Sequence, residues 1–101
     1  MTNFRWHYVI YKITNLDTGR FYVGQHRTVN PNDSYMGSGS ELNDDYSSYL
    51  KEGKSLKDHF KKEILFDFDS FQEMNEKEIE IVNKQFVNDP MTYNKTTGGL
   101  Y

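Results

Sequence analysis

Hydrophobic and polar positions follow two different periods along this chain. Residues 7–14, His-Tyr-Val-Ile-Tyr-Lys-Ile-Thr, are dense in β-branched and aromatic side chains. That composition suits a pleated, half-buried surface and predicts a strand. Asn15-Leu16-Asp17-Thr18-Gly19 supplies turn chemistry, because Asn and Asp bond nearby backbone and Gly tolerates positive φ. Residues 20–25 read as a second strand, so the chain opens as a β-hairpin. Residues 27–39 hold Asn30, Pro31, Asn32, Asp33 and two glycines, and predict a loop.

The period then turns helical. Ser38-Gly39-Ser40-Glu41 has capping-box spacing, with Ser38 at the cap and Glu41 three residues on. Leu42, Tyr46, Tyr49 and Leu50 recur at helical spacing, and Gly53 supplies a stop. Alternation of Ile64, Phe66 and Phe68 within residues 63–68 predicts a third strand. Ser70-Phe71-Gln72-Glu73 repeats the capping-box pattern and opens a helix predicted to run to about residue 87, before Asp89-Pro90. Met91 to Lys95 reads as a short extended segment ahead of Thr97-Gly98-Gly99. The order β-β-α-β-α with a tail predicts one α+β domain over residues 1–101. Its core architecture is a small three-stranded, mostly antiparallel sheet flanked by helices.

Composition narrows the class. A chain of 101 residues has room for one core, and aromatics reach 16 % against 36 % hydrophobic residues in all. Such a core rests on a few large rings. No stretch approaches the roughly 18 apolar residues of a membrane span, and the opening residues lack the apolar run of a secretory signal. Cysteine is absent, which excludes disulfides and thiolate zinc sites. An intracellular, cytoplasmic protein is expected. The formal net charge of −3 runs against the basic surplus of autonomous DNA binders. A DNA-acting domain of this charge needs an attached binding region, a metal, or a local basic patch. Lys51, Lys54, Lys57, Lys61 and Lys62 cluster in sequence, as a solvated face or as a track for DNA.

Four groups of residues carry candidate chemistry. With a four-residue hairpin loop, Tyr11 faces Gly24 and Ile13 faces Tyr22, so the two tyrosines share a face beside open space. A five-residue loop puts them on opposite faces. On the second helix Phe71, Met74, Ile81 and Val82 form an apolar stripe with Glu78 inside it. A carboxylate there requires a partner, a hydrogen bond or a cation, or else it snorkels to water. His26 and Arg27 follow the second strand; a His near a phenol can take its proton, and an Arg can neutralise a phosphate. Asn94 follows Tyr93 near the chain end. Walker loops, nucleophile elbows and dinucleotide fingerprints are missing.

Taken together, Val9-Ile10-Tyr11, Tyr22-Val23-Gly24, Tyr35-Met36-Gly37-Ser38-Gly39, residues 60–65, Glu78, Tyr93-Asn94 and Gly98-Gly99 resemble the GIY-YIG nuclease family, in particular a phage and mobile-element, homing-endonuclease-like branch. The resemblance extends from about residue 8 to residue 99. It implies a metal-dependent DNA endonuclease in which Tyr11 positions or activates water, Tyr22 is the second tyrosine, Glu78 binds one Mg²⁺ (or Mn²⁺), and Asn94 closes the site. His26 stands where some members carry a basic residue. The resemblance also implies that relatives continue into a C-terminal DNA-binding region. Two positions depart from the pattern: Val9 replaces the leading glycine, and the expected first-helix arginine is absent from Ser40-Glu41-Leu42-Asn43-Asp44-Asp45-Tyr46. Arg27 is the sequence candidate to replace it. The rival reading is a non-catalytic module of the same fold that binds DNA or a partner protein.

Overall fold

In a computed structural model, which describes residues 4–99, the hairpin turn sets the register of the first two strands. Asn15 Oδ1 accepts from the backbone N–H groups of Asp17 (2.9 Å) and Thr18 (3.2 Å), the local bond that a short side-chain carbonyl makes in a turn. Gly19, at φ 79°, completes the loop, and the Asn15 N–H donates to Arg20 O at 2.8 Å. The loop therefore has four residues. Strand β1 (His7–Asn15) pairs antiparallel with β2 (Phe21–Thr28), with Tyr11 opposite Gly24 and Ile13 opposite Tyr22.

Next come α1 (Ser40–Lys51), the single turn α2 (Leu56–His59), β3 (Phe60–Phe68), α3 (Phe71–Ile81) and α4 (Lys84–Val87). Strand β3 pairs antiparallel along the other side of β1, so the order is β2-β1-β3. The architecture is α+β, a three-stranded antiparallel sheet between helices. Being central, β1 is covered on both faces, and Val9, Ile10, Tyr11 and Ile13 are all buried. Adjacent strand residues point to opposite faces. Tyr11 and Ile13 join Leu42 and Tyr46 of α1, Phe60 and Tyr93 in one cluster. Ile10 and Val23 pack under Met74 and Val82 on the other side. Each such side chain contributes about 1.5–3 kcal/mol on burial. Two half-cores, one dominated by rings and the other aliphatic, thus clamp one strand.

Several elements differ from the sequence reading, each for a local reason. The helix predicted to reach residue 87 stops at Ile81. Val82 leaves helical geometry (φ −91°, ψ 61°), and its carbonyl accepts from Gly98 N–H at 2.7 Å. A continuing helix would give that carbonyl to Phe86 N–H, which instead donates to Asn83 Oδ1 at 2.9 Å and caps α4. The first capping box does not form. Gly39 occupies the cap position of α1 without a side-chain bond, and Glu41 turns to Arg20 (2.9 Å) and Lys95 (2.8 Å). At the second, the Ser cap forms: Ser70 Oγ accepts from Glu73 N–H at 3.2 Å, and its hydroxyl donates to Glu73 Oε1 at 3.0 Å.

Strand β3 begins at Phe60, three residues earlier than predicted, directly after α2. The Phe60 ring is anchored between Tyr46 and Tyr49, with ring centroids 4.8 and 5.0 Å away. His26 and Arg27 lie within β2, not past its end. The tail docks on the start of β2: Thr92 bridges Phe21 in parallel, and Tyr93 N–H donates to Phe21 O at 2.7 Å. Among the described residues no helix is long and apolar enough to cross a membrane.

Candidate active site

A cavity of about 240 Å³ lies along the edge of β2, where the two layers meet. Tyr11, Tyr22 and Ser38 reach it from the α1 side, Gln25 and Glu78 from the α3 side, and Asn94 with residues 96–99 forms its far wall. Gly24 is what lets the first phenol in. A Cβ there would stand 2.6 Å from Tyr11 Oη and 2.8 Å from its Cζ. The Tyr11 ring therefore lies directly over the bare backbone of β2. The Tyr11 and Tyr22 rings sit 6.1 Å apart, centroid to centroid, tilted by 38°. Gly39 makes room for the second ring, since a Cβ there would approach Tyr22 Cε1 to 2.8 Å.

Glu78 sits one turn from Met74 and one from Val82 on the buried side of α3, and is only 9 % exposed. A carboxylate at such a depth needs hydrogen-bond donors. Gln25 Nε2 donates to its Oε1 at 3.0 Å, and the Gly99 N–H donates to the same oxygen at 2.6 Å. Gln25 also donates to Asn75 Oδ1 at 3.1 Å, which ties strand to helix beneath the cavity. The tail approaches α3 closely: a Cβ on Gly98 would come within 2.6 Å of the Glu78 carbonyl oxygen.

Asn94 acts on the strand. Its Oδ1 accepts from Val23 N–H (3.0 Å) and its Nδ2 donates to Val23 O (2.8 Å). Thr92 Oγ1 donates to the same Oδ1 at 2.9 Å. One side-chain amide thus does for the edge of β2 what a neighbouring strand would do.

The two phenols differ in acidity. Burial pushes Tyr11 far above its ordinary value of about 10, and the Tyr22 and Tyr35 hydroxyls add to the shift. Burial also raises Tyr22, and the Glu78 charge contributes, but hydrogen bonds from Ser38 and Tyr11 offset part of it. Tyr22 is the more exposed of the two: Tyr11 is 1 % exposed, whereas Tyr22 is only partly buried.

His26 and Arg27 fall outside the cavity lining. His26 stacks on Tyr35, centroids 3.9 Å apart, and its Nε2 lies 3.0 Å from Asp33 Oδ2. Tyr35 in turn stands edge-on to Tyr11 at 5.7 Å, so its ring comes between His26 and Tyr11. Burial opposes charge on Asp33, yet hydrogen bonds from Thr28, Lys62 and His26 hold its carboxyl well below the usual range. Arg27 points to the opposite face of the sheet, stacked 4.3 Å over Trp6. Within the lysine cluster, Lys54, Lys61 and Lys62 pair with Glu52, Glu63 and Asp33. No arginine lines the cavity.

Gln25, Ser38 and Gly99 are contributions that the sequence reading did not foresee. Strand alternation carries the signal for Gln25, because a residue two after Val23 must also face α3. The Gly99 bond crosses 21 positions and leaves no local trace.

The oxygen donors suit a hard cation. Among the described residues no three His, Cys, Asp or Glu side chains converge, so Glu78 stands as a lone carboxylate. Mg²⁺ is commonly bound in this way, by one or two carboxylates with water and substrate phosphate completing its shell. A further oxygen, Gln25 Oε1, is buried in the cavity wall without a hydrogen-bond partner among the described residues. Thiolate and imidazole, the ligands that favour zinc, do not line the cavity.

Fold and site together define a small α+β domain that gathers two phenols and one carboxylate at the edge of an antiparallel sheet. The chain is similar to proteins of Enterobacteria phage T4. It is 42 % identical to the "Putative endonuclease segD" over 100 residues, 95 % of this chain and 40 % of that protein. Against the "Putative endonuclease segC" it is 38 % identical over 94 residues, 93 % of this chain and 44 % of that one. Against the "Endonuclease segA" it is 40 % identical over 89 residues, 88 % of this chain and 38 % of that one. The chain thus spans less than half the length of these curated relatives. No protein-family model and no solved structure matches it.

Proposed function

We propose that this domain is a divalent-metal-dependent DNA endonuclease of the GIY-YIG type, homing-endonuclease-like in its chemistry. The observation that supports this best is the convergence of Tyr11, Tyr22 and Glu78 on one cavity, with the carboxylate fixed by Gln25 and Gly99. The names of its phage relatives favour the same class.

Glu78 is the residue that holds the ion, Mg²⁺ or Mn²⁺. When bound, such an ion supplies Lewis-acid stabilisation of phosphate charge and lowers the pKa of water. Tyr22 orients the attacking water, because it is the more exposed of the two phenols that line the cavity. Tyr11 keeps its proton and hydrogen-bonds to Tyr22, which steadies that ring. This exchanges the roles that family resemblance alone assigns, and the reason is the burial of Tyr11. Asn94 is a positioning residue: it holds the backbone of Val23 and with it the flanking Tyr22 and Gly24. His26 belongs to the Asp33 loop anchor, and Arg27, on the same face as Gln25, is stacked on Trp6 outside the cavity lining, so neither is given a role in the reaction.

Supercoiled plasmid tests the reading. Nicking or linearisation in Mg²⁺ and none in chelator supports it. The second reading, a non-catalytic module, is favoured by the net charge of −3 and the absence of arginine from the cavity wall. Binding of DNA without cleavage in Mg²⁺ selects that module instead.

A further inference from the structure

The cavity does not end at Tyr22 and Asn94. A groove of about 190 Å³ shares Tyr22, Asn94 and Thr96 with it and runs on past Gly39 and Ser40 at the start of α1. Lys95 lines this groove, and its ammonium group lies 2.8 Å from Glu41 Oε1. The other carboxylate oxygen of Glu41 accepts from Arg20 Nη2 at 2.9 Å. The Arg20 guanidinium stacks 4.1 Å over the ring of Tyr93, another groove residue. Arg20 Nε is buried and has no acceptor among the described residues.

Arg20, Lys95 and Glu41 together carry +1, and the Asp45 carboxylate, which accepts from the Tyr93 hydroxyl behind them, balances that charge; the cations at the groove are therefore Lys95 and Arg20, each held by a carboxylate. The arrangement resembles a held latch. Glu41 keeps both cations in place, and a doubly liganded carboxylate is a mimic of the phosphate oxygens that Arg and Lys prefer. All three side chains are about a third or more exposed, so a phosphate can compete for the cations without unfolding anything.

We propose that this groove binds a backbone phosphate of the DNA strand adjacent to the one being cleaved, with Lys95 as its principal ligand and Arg20 as support. The inference rests on the endonuclease reading for the identity of the strand. It supplies positive charge from the tail and the hairpin beside the acidic first turn of α1. Glu41 sets the affinity from the other direction, by competing with the phosphate.

Binding and cleavage of a short duplex are measured separately for the wild type, Lys95→Gln, Glu41→Gln and the remote control Lys61→Gln. Binding is read in chelator over a range of salt. Lys95→Gln is expected to weaken binding about three- to tenfold at low salt and to reduce the salt slope by about one. Glu41→Gln, which frees both cations, is expected to tighten it. In cleavage, Lys95→Gln should act mainly on KM. If Lys95→Gln binds as Lys61→Gln does, or if neither wild type nor variant binds at low salt, the groove is not a phosphate site, whatever the cleavage result. If the wild type fails to cut while Lys95→Gln still loses binding, the endonuclease reading fails and the phosphate site stands.

Discussion

The backbone N–H of Gly99 donates to Glu78 Oε1 at 2.6 Å, and this bond fastens the chain's tail onto the carboxylate that faces the cavity. Gly98 makes the approach possible. Its missing Cβ would lie 2.6 Å from Glu78 O and 2.7 Å from Glu78 Cγ. Backbone cannot yield as a flexible side chain can. Gly98→Ala should therefore lift the tail from α3, cost about 1–3 kcal/mol of stability, and reduce cleavage by more than the stability loss alone explains. Urea unfolding with a parallel plasmid assay checks both effects.

Asn94 carries a distinct prediction because its side chain bonds both backbone groups of Val23. Asn94→Ala leaves the N–H and C=O of Val23 without their partner at the sheet edge, and an unsatisfied buried group costs about 1–3 kcal/mol. Asn94→Asp should recover only part of this, since a carboxylate accepts from Val23 N–H but repels Val23 O. Thermal unfolding should rank wild type above Asp and Asp above Ala.

Raised phenols predict weakness in alkali. Tyr11 and Tyr46 are pushed well above their ordinary value by burial. Tyr93 is pushed up to about 12, chiefly by burial and then by the Asp45 carboxylate that its hydroxyl bonds at 2.5 Å. The folded state then holds protons that the unfolded chain gives up above about pH 10. Stability is fully present below that value and falls as pH rises, by up to about 1.4 kcal/mol per pH unit for each phenol. Denaturant midpoints between pH 8 and 11 should be flat and then drop. Tyr93→Phe should lessen the drop.

The placement of His26 yields a kinetic prediction. A His acting as general base contributes about 10²–10⁴-fold and gives a rate that levels off near neutral pH. His26 instead faces Asp33, with Tyr35 between it and Tyr11. His26→Gln should change the cleavage rate by no more than about twofold and leave its pH profile intact. Tyr22→Phe should cost far more. A hundredfold loss in His26→Gln with normal stability would restore His26 to the reaction.

Much of this was legible in the sequence because it is local. Counting from Asn15 to Arg20 gave the two hairpin registers, and turn chemistry at Asn15 and Gly19 selects the one that puts Tyr11 and Tyr22 together. Glu78 stood out because helical spacing placed it between Met74 and Ile81 on an apolar stripe. What escaped is what the tail does after crossing the molecule. Gly98 takes the carbonyl of Val82 and so ends α3 early, and no rule of helix propensity sees that bond. Lys95 draws Glu41 out of its capping-box role in the same non-local way. Arg27 was misplaced for a simpler reason: β2 continues through it, and strand alternation then turns its side chain away from the tyrosines.

The most direct measurement compares wild type with Glu78→Gln in cleaving supercoiled plasmid in Mg²⁺. Glutamine keeps an oxygen for Gln25 and Gly99 while removing the charge, so the fold should survive, as circular dichroism and unfolding will show. Cleavage is expected to fall at least about a hundredfold. Undiminished Mg²⁺-dependent cleavage by a folded Glu78→Gln protein would contradict the assignment of this carboxylate to the metal.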